Sequence, residues 1–320
     1  MGINAAPLAA ARTGVGRYIS GLLGALDAAK PDGVRPRPLF LPSAGARGLR
    51  RLVKALPFAY PLADAVRAAV LRRERPTVYH ETNHAAPSFH GPVVLTVHDL
   101  STVLHPGTQE PARARYFANG LRKAASAVRV IVPTRAIADE AAQHLGVPRD
   151  RIRVIHHGVD ARFAPADLPR KSFVLYAGDA NPRKGLPTLY AALPEGVELK
   201  LAGPDHTYVS DDELVALYRG AAVLVLPSLY EGFGFPLAEA MACGTPCIAS
   251  DDPALVEVSG GAALHFPRGD AGALRLLLRR VLSDSALRDE LARKGLERAR
   301  AFRWDRSAAL HVEVYREAAR

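Results

Sequence analysis

Short runs of β-branched and apolar residues alternate with stretches of helical periodicity along the whole chain. In the first half the runs are Thr77–Tyr79, Val93–Val97, Val128–Val132 and Arg153–Ile155, and in the second Phe173–Tyr176, Glu198–Leu201, Val223–Leu226 and Pro246–Ala249. Each is followed by polar, Gly or Pro residues and then by a helical pattern, which predicts two parallel, doubly wound α/β sheets. No low-complexity tract and no repeat of solenoid period interrupts the rhythm. Residues 158–171, GVDARFAPADLPRK, have the Pro and Ala content of a crossing linker, so the expected domains are 1–165 and 166–302. Ligands of such sheets bind at the carboxyl ends of strands, and two facing sheets would enclose one inter-domain cleft.

Composition agrees with two domains: 320 residues with 48% hydrophobic content fill two ordinary cores but not three. No apolar run approaches the roughly 20 residues that cross a bilayer, and the N-terminus lacks a signal-peptide pattern, so a cytosolic protein is expected. Cys243 and Cys247 sit among small and apolar neighbours at a spacing that suits neither zinc nor a redox pair, and read as core residues. Charge is uneven, with 24 Lys and Arg against 12 Asp and Glu in residues 1–170, and 18 against 20 thereafter. The excess points to an anionic partner for the first half. It concentrates between Arg47 and Arg75, a basic amphipathic pattern that fits docking on an anionic membrane surface at its inner face, although a solvated helix face gives the same pattern. Only Phe58 and Tyr60 accompany those basic residues, which argues against nucleic acid.

Candidate chemistry gathers after the strand runs. In PSLYEGFGFPLAEAMACGTP, Gly232 and Gly234 free the loop of side-chain bulk, Pro236 suits a first helical turn and Gly244 suits the helix end. A helix N-terminus opened by glycines offers outward N–H groups to a phosphate. Glu231 in the loop and Glu239 in the first turns place one carboxylate toward a sugar and the other toward ribose hydroxyls, unless they are a surface Glu and a residue complementing the helix dipole. In YAGDANPRKGLPTL, Gly178 and Gly185 bracket a turn presenting Arg183 and Lys184 at the mouth of the same sheet, where a departing diphosphate needs positive charge. Such a pair taken alone is usually just solvated. In RTGVGRYISGLL, Gly14 and Gly16 stand just before an apparent helix, at a spacing that departs from GxGxxG. VVLTVHDLS closes a strand with His98 and Asp99, where a His often serves only as a structural hydrogen-bonding residue. Asp-x-Asp, Walker and GxSxG motifs are absent from the sequence.

Together these segments resemble the family-4 glycosyltransferases over nearly the whole chain. The match rests on EGFGFPLAE from Glu231 to Glu239, a Glu-x7-Glu signature continued by AMACGTPCIAS. PRKG at Pro182–Gly185, TGVGRY at Thr13–Tyr18, VHDLS at Val97–Ser101, EVSGGAALHF at Glu257–Phe266 and the ending FRWDRSAALHVEVY support it. The resemblance implies a GT-B fold, two Rossmann-like domains with the last helix, residues 303–320, returning to the first. It implies retaining transfer from a nucleotide-diphosphate sugar, with GDP-mannose the expected donor and neither metal nor cofactor. Lys184 and Arg183 would neutralise the diphosphate and Glu239 would bind the ribose. Glu231 with Gly232, Phe233, Gly234, Phe235 and Leu237 would grip the sugar, and His98 would face it from the other domain. Gly14, Gly16, Asp99 and Gly178 complete the implied substrate positions. Front-face attack, in which the donor's own phosphate oxygen accepts the acceptor's proton, requires no protein nucleophile. The implied acceptor is a glycan or lipid-linked intermediate of cell-surface polysaccharide or glycoconjugate synthesis. Two departures stand out: Asp179 replaces an Arg common in relatives, with Arg183 expected to substitute for it, and the first strand is short. The competing readings are a nucleotide-sugar epimerase, which would convert donor without acceptor, and a non-catalytic GT-B subunit of a polysaccharide assembly complex.

Overall fold

The computed structural model describes residues 1–9, 13–40, 59–83, 86, 88–167, 171–207 and 209–320. They form two units, Met1–Gly158 with Trp304–Arg320, and Val159–Arg303. The first contains β1 (Gly2–Asn4), β2 (Arg37–Leu39), β3 (Tyr79–Glu81), β4 (Val93–Thr96), β5 (Arg129–Val132) and β6 (Ile152–Val154). They form one sheet in the order β2-β1-β3-β4-β5-β6 with every pair parallel. Its helices include α1 (Gly14–Ala29), α2 (Ala59–Glu74), α3 (Ser101–Leu104), α4 (Pro111–Leu121) and α5 (Arg135–Leu145). Val130, Ile131 and Val132 are fully buried. A parallel strand covered on both faces reads as a continuous apolar run, which is why it stood out in the sequence.

The second unit contains β7 (Phe173–Ala177), β8 (Glu198–Ala202), β9 (Val223–Leu226), β10 (Cys247–Ser250) and β11 (Leu264–Phe266), in the parallel order β11-β10-β9-β7-β8. Between them run α6 (Leu186–Ala192), α7 (Asp211–Gly220), α8 (Phe235–Ala242) and α9 (Pro253–Ser259), followed by α10 (Ala271–Ser283) and α11 (Ser285–Ala299). Successive strand residues alternate between two cores: Phe173, Leu175, Leu224 and Leu226 pack with Leu237 and Met241, while Val174, Tyr176, Val223 and Val225 pack with Ile248 and Leu278. Cys243 and Cys247 lie in the first of these cores, both as free thiols. The strand order reverses at β7, so the carboxyl ends of β7 and β9 flank the crevice where open α/β sheets take their ligands.

The last helix, α12 (Trp304–Ala318), packs on the first unit. Gly21 and Gly158 admit the Trp304 ring, since a Cβ on either would lie 2.1 or 2.5 Å from it. A directed chain of buried hydrogen bonds completes the seam. Tyr315 Oη donates to His80 Nδ1 (2.9 Å), His80 Nε2 to Thr96 Oγ1 (2.7 Å), Thr96 to Tyr18 Oη (2.9 Å), Tyr18 to His311 Nε2 (2.8 Å) and His311 Nδ1 to the Ser307 carbonyl (2.7 Å). The terminal carbonyl can only accept, so this one direction satisfies every member with both imidazoles neutral.

Several expectations are corrected. The units divide after Gly158, at the start of the residues read as linker rather than at 165, because Val159 N–H bonds the Phe302 carbonyl (2.9 Å) and Phe163 packs edge-on against Tyr218. β2 and β11 were not read from the sequence, and the first strand, β1, expected to be short, lies inside its sheet between β2 and β3. Gly14 and Gly16 are within the first turn of α1, because Thr13 is the N-cap and accepts the Gly16 N–H (3.1 Å). Within the basic stretch, residues 47–58 lie outside the described residues. Arg67 is no part of an anion-facing surface: it is buried in an ion pair with Glu81, whose carboxylate is fully enclosed and requires a cation. Arg72 and Arg73 are exposed near the end of α2, and Arg75 follows it with φ +43°.

Candidate active site

Two loops meet at the switch point of the second unit. After β7, the Asn181 side chain accepts the Arg183 N–H (3.1 Å) and winds Pro182–Lys184 into one tight turn, which Gly185 ends at φ +68°. A Cβ on Gly185 would stand 1.9 Å from the Pro227 carbonyl oxygen, so the turn rests directly on the backbone of the loop after β9. The Leu229 N–H donates to the Arg183 carbonyl (2.7 Å) and fastens the two together. Asp179 helps shape this turn, its carboxylate accepting the Asn181 N–H at 3.3 Å.

The fastening brings the charged side chains into contact. Lys184 Nζ lies 2.6 Å from Glu231 Oε1, which also accepts from Ser228 Oγ (2.8 Å). Arg183 Nη1 donates to the Tyr230 carbonyl (3.1 Å) and stands 3.6 Å from Glu231 Oε2. Lys184 and Arg183 keep 14% and 16% of their side chains exposed, so an arriving anion can reach them. Burial would raise the Glu231 carboxyl, but the Lys184 ammonium and the Arg183 guanidinium prevail and hold it below the usual range. The Glu231 N–H donates to Asp252 Oδ2 (3.3 Å). Burial first, and the charge of Glu231 second, push Asp252 up to about 6 against the N–H groups of Leu255, Glu231 and Ala254.

Helix α8 opens at Gly234, where the φ of +81° favours glycine and any Cβ would come within 2.5 Å of Leu255 Cδ2. Pro236 takes its second position, and Gly244 follows the helix at φ +72°. Phe233 and Leu237 point their side chains into the core, Phe233 packing edge-on with Phe235 (5.3 Å) and Phe302 (5.5 Å), which leaves the main chain as what this segment can offer a ligand. Glu239 is 2% exposed, and its Oε2 accepts from the Tyr218 hydroxyl at 3.0 Å. Gly178 closes β7, its N–H on the Ala202 carbonyl (2.9 Å). In the first unit, His98 Nε2 at the end of β4 donates to the Thr82 carbonyl (2.9 Å) with its ring against Tyr18. Asp99 accepts the Ser101 N–H (2.8 Å) at the start of α3. Among the described residues, no group of three His, Cys, Asp or Glu side chains is placed to hold a metal ion.

Two family models match the chain: Glycosyltransferase Family 4 over residues 13–163 and Glycosyl transferases group 1 over residues 206–298. The chain belongs to the family-4 glycosyltransferases. The glycosyltransferase is 28% identical to the O-antigen chain mannosyltransferase B of Escherichia coli, over 81% of this chain and 79% of the relative. It is 31% identical to a D-inositol 3-phosphate glycosyltransferase of Streptomyces bingchenggensis, over 74% of this chain and 64% of that one. Its fold matches sucrose-phosphate synthase from Thermosynechococcus elongatus with a TM-score of 0.75 at 22% identity, covering 99% and 98% of the two chains. The fold of the glycosyltransferase is GT-B. No helix among its described residues is long and apolar enough to cross a membrane.

Sequence reasoning missed Ser228, Asp252 and Tyr218. The Asp-Pro pair at 252–253 is a helix-start signature and could have marked the N-cap of α9, where Asp252 accepts the Ala254 N–H (3.0 Å). Nothing near Tyr218 in the sequence announces its bond to Glu239.

Proposed function

We propose that this glycosyltransferase moves a hexose, with mannose favoured, from a nucleotide-diphosphate sugar to a glycan or lipid-linked acceptor, retaining anomeric configuration and using no metal. The observation that carries the reading is the Lys184–Glu231–Arg183 cluster at the switch point. Lys184 and Arg183 are fixed before any ligand arrives, so charge developing on the leaving diphosphate meets cations that need no reorganisation. Glu231 keeps its anionic form there and can accept hydroxyl bonds from the donor sugar. Glu239, held by Tyr218, is assigned to the ribose, and the main chain opening α8 to the phosphates. His98 is assigned to the donor sugar. The mannosyltransferase relative supports mannose, hence GDP-mannose. Exposed Arg72 and Arg73 on α2 support approach to an anionic membrane surface on the cytoplasmic side.

The test is to incubate purified protein with GDP-mannose, UDP-glucose or dTDP-glucose, with glycan and lipid-linked acceptors and with or without EDTA. Acceptor-dependent nucleoside diphosphate release, unchanged by EDTA, with an NMR-assigned retained linkage, is the expected result. Donor conversion without acceptor would mean an epimerase, and no turnover with any combination would refute transfer.

A further inference from the structure

Three neighbouring strands, β7, β9 and β10, each deliver acidic or basic groups to one point: Lys184 and Arg183 after β7, Glu231 after β9, and Asp252 after β10. Among the described residues, Asp252 differs from the others in having no cationic partner of its own. Its Oδ1 accepts the N–H groups of Ala254 and Leu255 (3.0 and 3.3 Å) as the N-cap of α9, and its Oδ2 accepts the N–H of Glu231. It is 1% exposed. The bond to Glu231 fixes the main chain from which the Lys184-paired carboxylate extends. A second tie runs from Ser250 Oγ to the Ser228 carbonyl, and Ser228 Oγ bonds the same Glu231 carboxylate.

We propose that Asp252 is a positioning residue for Glu231 and the group that takes up a proton when a nucleotide sugar's diphosphate enters the Lys184–Arg183 site. This rests on the donor site proposed above. With both carboxylates ionised, two cations face two anions and the cluster is neutral. A diphosphate adds negative charge beside the cations and raises the work of keeping both acids ionised. Glu231 is protected by its direct contact with Lys184 and by Ser228, whereas Asp252 has only N–H donors, so the proton from solvent goes to Asp252. Its ordinary titration is already displaced upward by burial and by Glu231, which brings the step into a physiological range. The other ionisable groups of the elements around it are already engaged. Asp251, next in the chain, is paired with Arg268 (3.3 Å). His265 on β11 has Nδ1 on the Ser250 carbonyl (2.9 Å) and Nε2 on Ser259 Oγ (2.8 Å). On α8, Glu239 is held by Tyr218.

The experiment is calorimetric binding of GDP-mannose, UDP-glucose and dTDP-glucose to wild type, Asp252→Asn and Asp252→Ser, in buffers of different ionisation enthalpy. A nucleotide sugar carries no phosphate that titrates near neutrality, so protons exchanged belong to the protein. Both variants keep an acceptor to cap α9, which guards against simple unfolding. The wild type should take up a proton on binding, with Kd tightening about fivefold between about pH 7.5 and pH 5.5, and both variants should lose that uptake and that pH dependence. At pH 5.5 the variants are uncharged at this position, as protonated wild type is, so the weaker binding expected of them there reads the lost tie to the Glu231 N–H rather than a lost charge. Equal proton uptake in wild type and variants, or a pH-independent wild-type Kd, would overturn the proposal. If no nucleotide sugar binds the wild type at any pH, it is the donor-site reading that fails.

Discussion

At the scale of single residues, the contact between Lys184 and Glu231 is the testable centre of the site. Lys184→Met leaves a nearly buried carboxylate without its cation. It should cost roughly 3 kcal/mol in urea unfolding, with most of the loss recovered in the double variant Lys184→Met/Glu231→Gln. Activity should not recover in that double variant, because the cation facing the diphosphate is still missing. Asp252 and Glu231 respond to pH in opposite senses. Glu231 is held below its ordinary value, so its stabilisation is present above about pH 4.5 and is lost on acidification. Asp252 titrates at about 6 in the fold against an ordinary 3.8, so between those limits the folded state binds the proton and the unfolded chain does not. Stability attributable to Asp252 therefore falls as pH rises through that window, by about 2–3 kcal/mol in all. The measurement is unfolding free energy against pH for wild type and Asp252→Asn, whose curves should converge near pH 4 and separate by pH 7. The placing of Glu231, Arg183 and Lys184 on the loops after two strands was legible in the sequence, because glycine and proline beside them mark those turns. Tyr218 and Asp252 were not, since each reaches its partner from 21 residues away.

At the scale of elements, the active geometry depends on how closely two loops approach. Gly185→Ala would drive a Cβ against the Pro227 carbonyl at a φ of +68°, separating the turn bearing Lys184 from the loop bearing Glu231. A loss of about 100-fold in kcat/KM is expected, with a fall in Tm. Gly234→Ala meets the tip of a Leu255 side chain, which can shift, so a smaller loss of about 1–2 kcal/mol in stability is expected. Comparing both variants by thermal melting and steady-state kinetics separates the cases: if Gly185→Ala proved the milder, the loop contact would not be what sets the geometry. The glycines and the helix opening with Pro236 were readable locally, as were the longer strands, whose buried faces leave unbroken apolar runs. β2 (RPL) and β11 (LHF) were not, because three residues carry no period and these lack the β-branched residues that marked the runs at the equally short β3 and β6.

At the scale of the whole molecule, the two units should differ in acid. Burial lowers His80 and His157 well below the ordinary value, with neighbouring histidines adding to it, and brings His311 to about 4 against the opposing Ser307 carbonyl. These bases stay neutral in the fold and charge in the unfolded chain, so their contribution is lost as pH falls below about 6.5, at up to about 1.4 kcal/mol per histidine per pH unit. Trp304 is the sole tryptophan and stacks near His157 in the first unit. Its fluorescence should therefore report an acid transition ahead of far-UV circular dichroism for the whole chain; coincident transitions would contradict this. By itself the sequence determined the alternating α/β class and marked the glycine-flanked strand ends and the charged residues that meet after β7 and β9, because periodicity, glycine geometry and charge are properties of neighbours along the chain. Tertiary structure alone decided that Arg67 turns inward to Glu81, that Tyr18, His80 and His311 form one directed chain, and that Asp252 supports Glu231. Those pairings join residues on separate elements, and only the packing of sheets and helices fixes which buried polar group finds which partner.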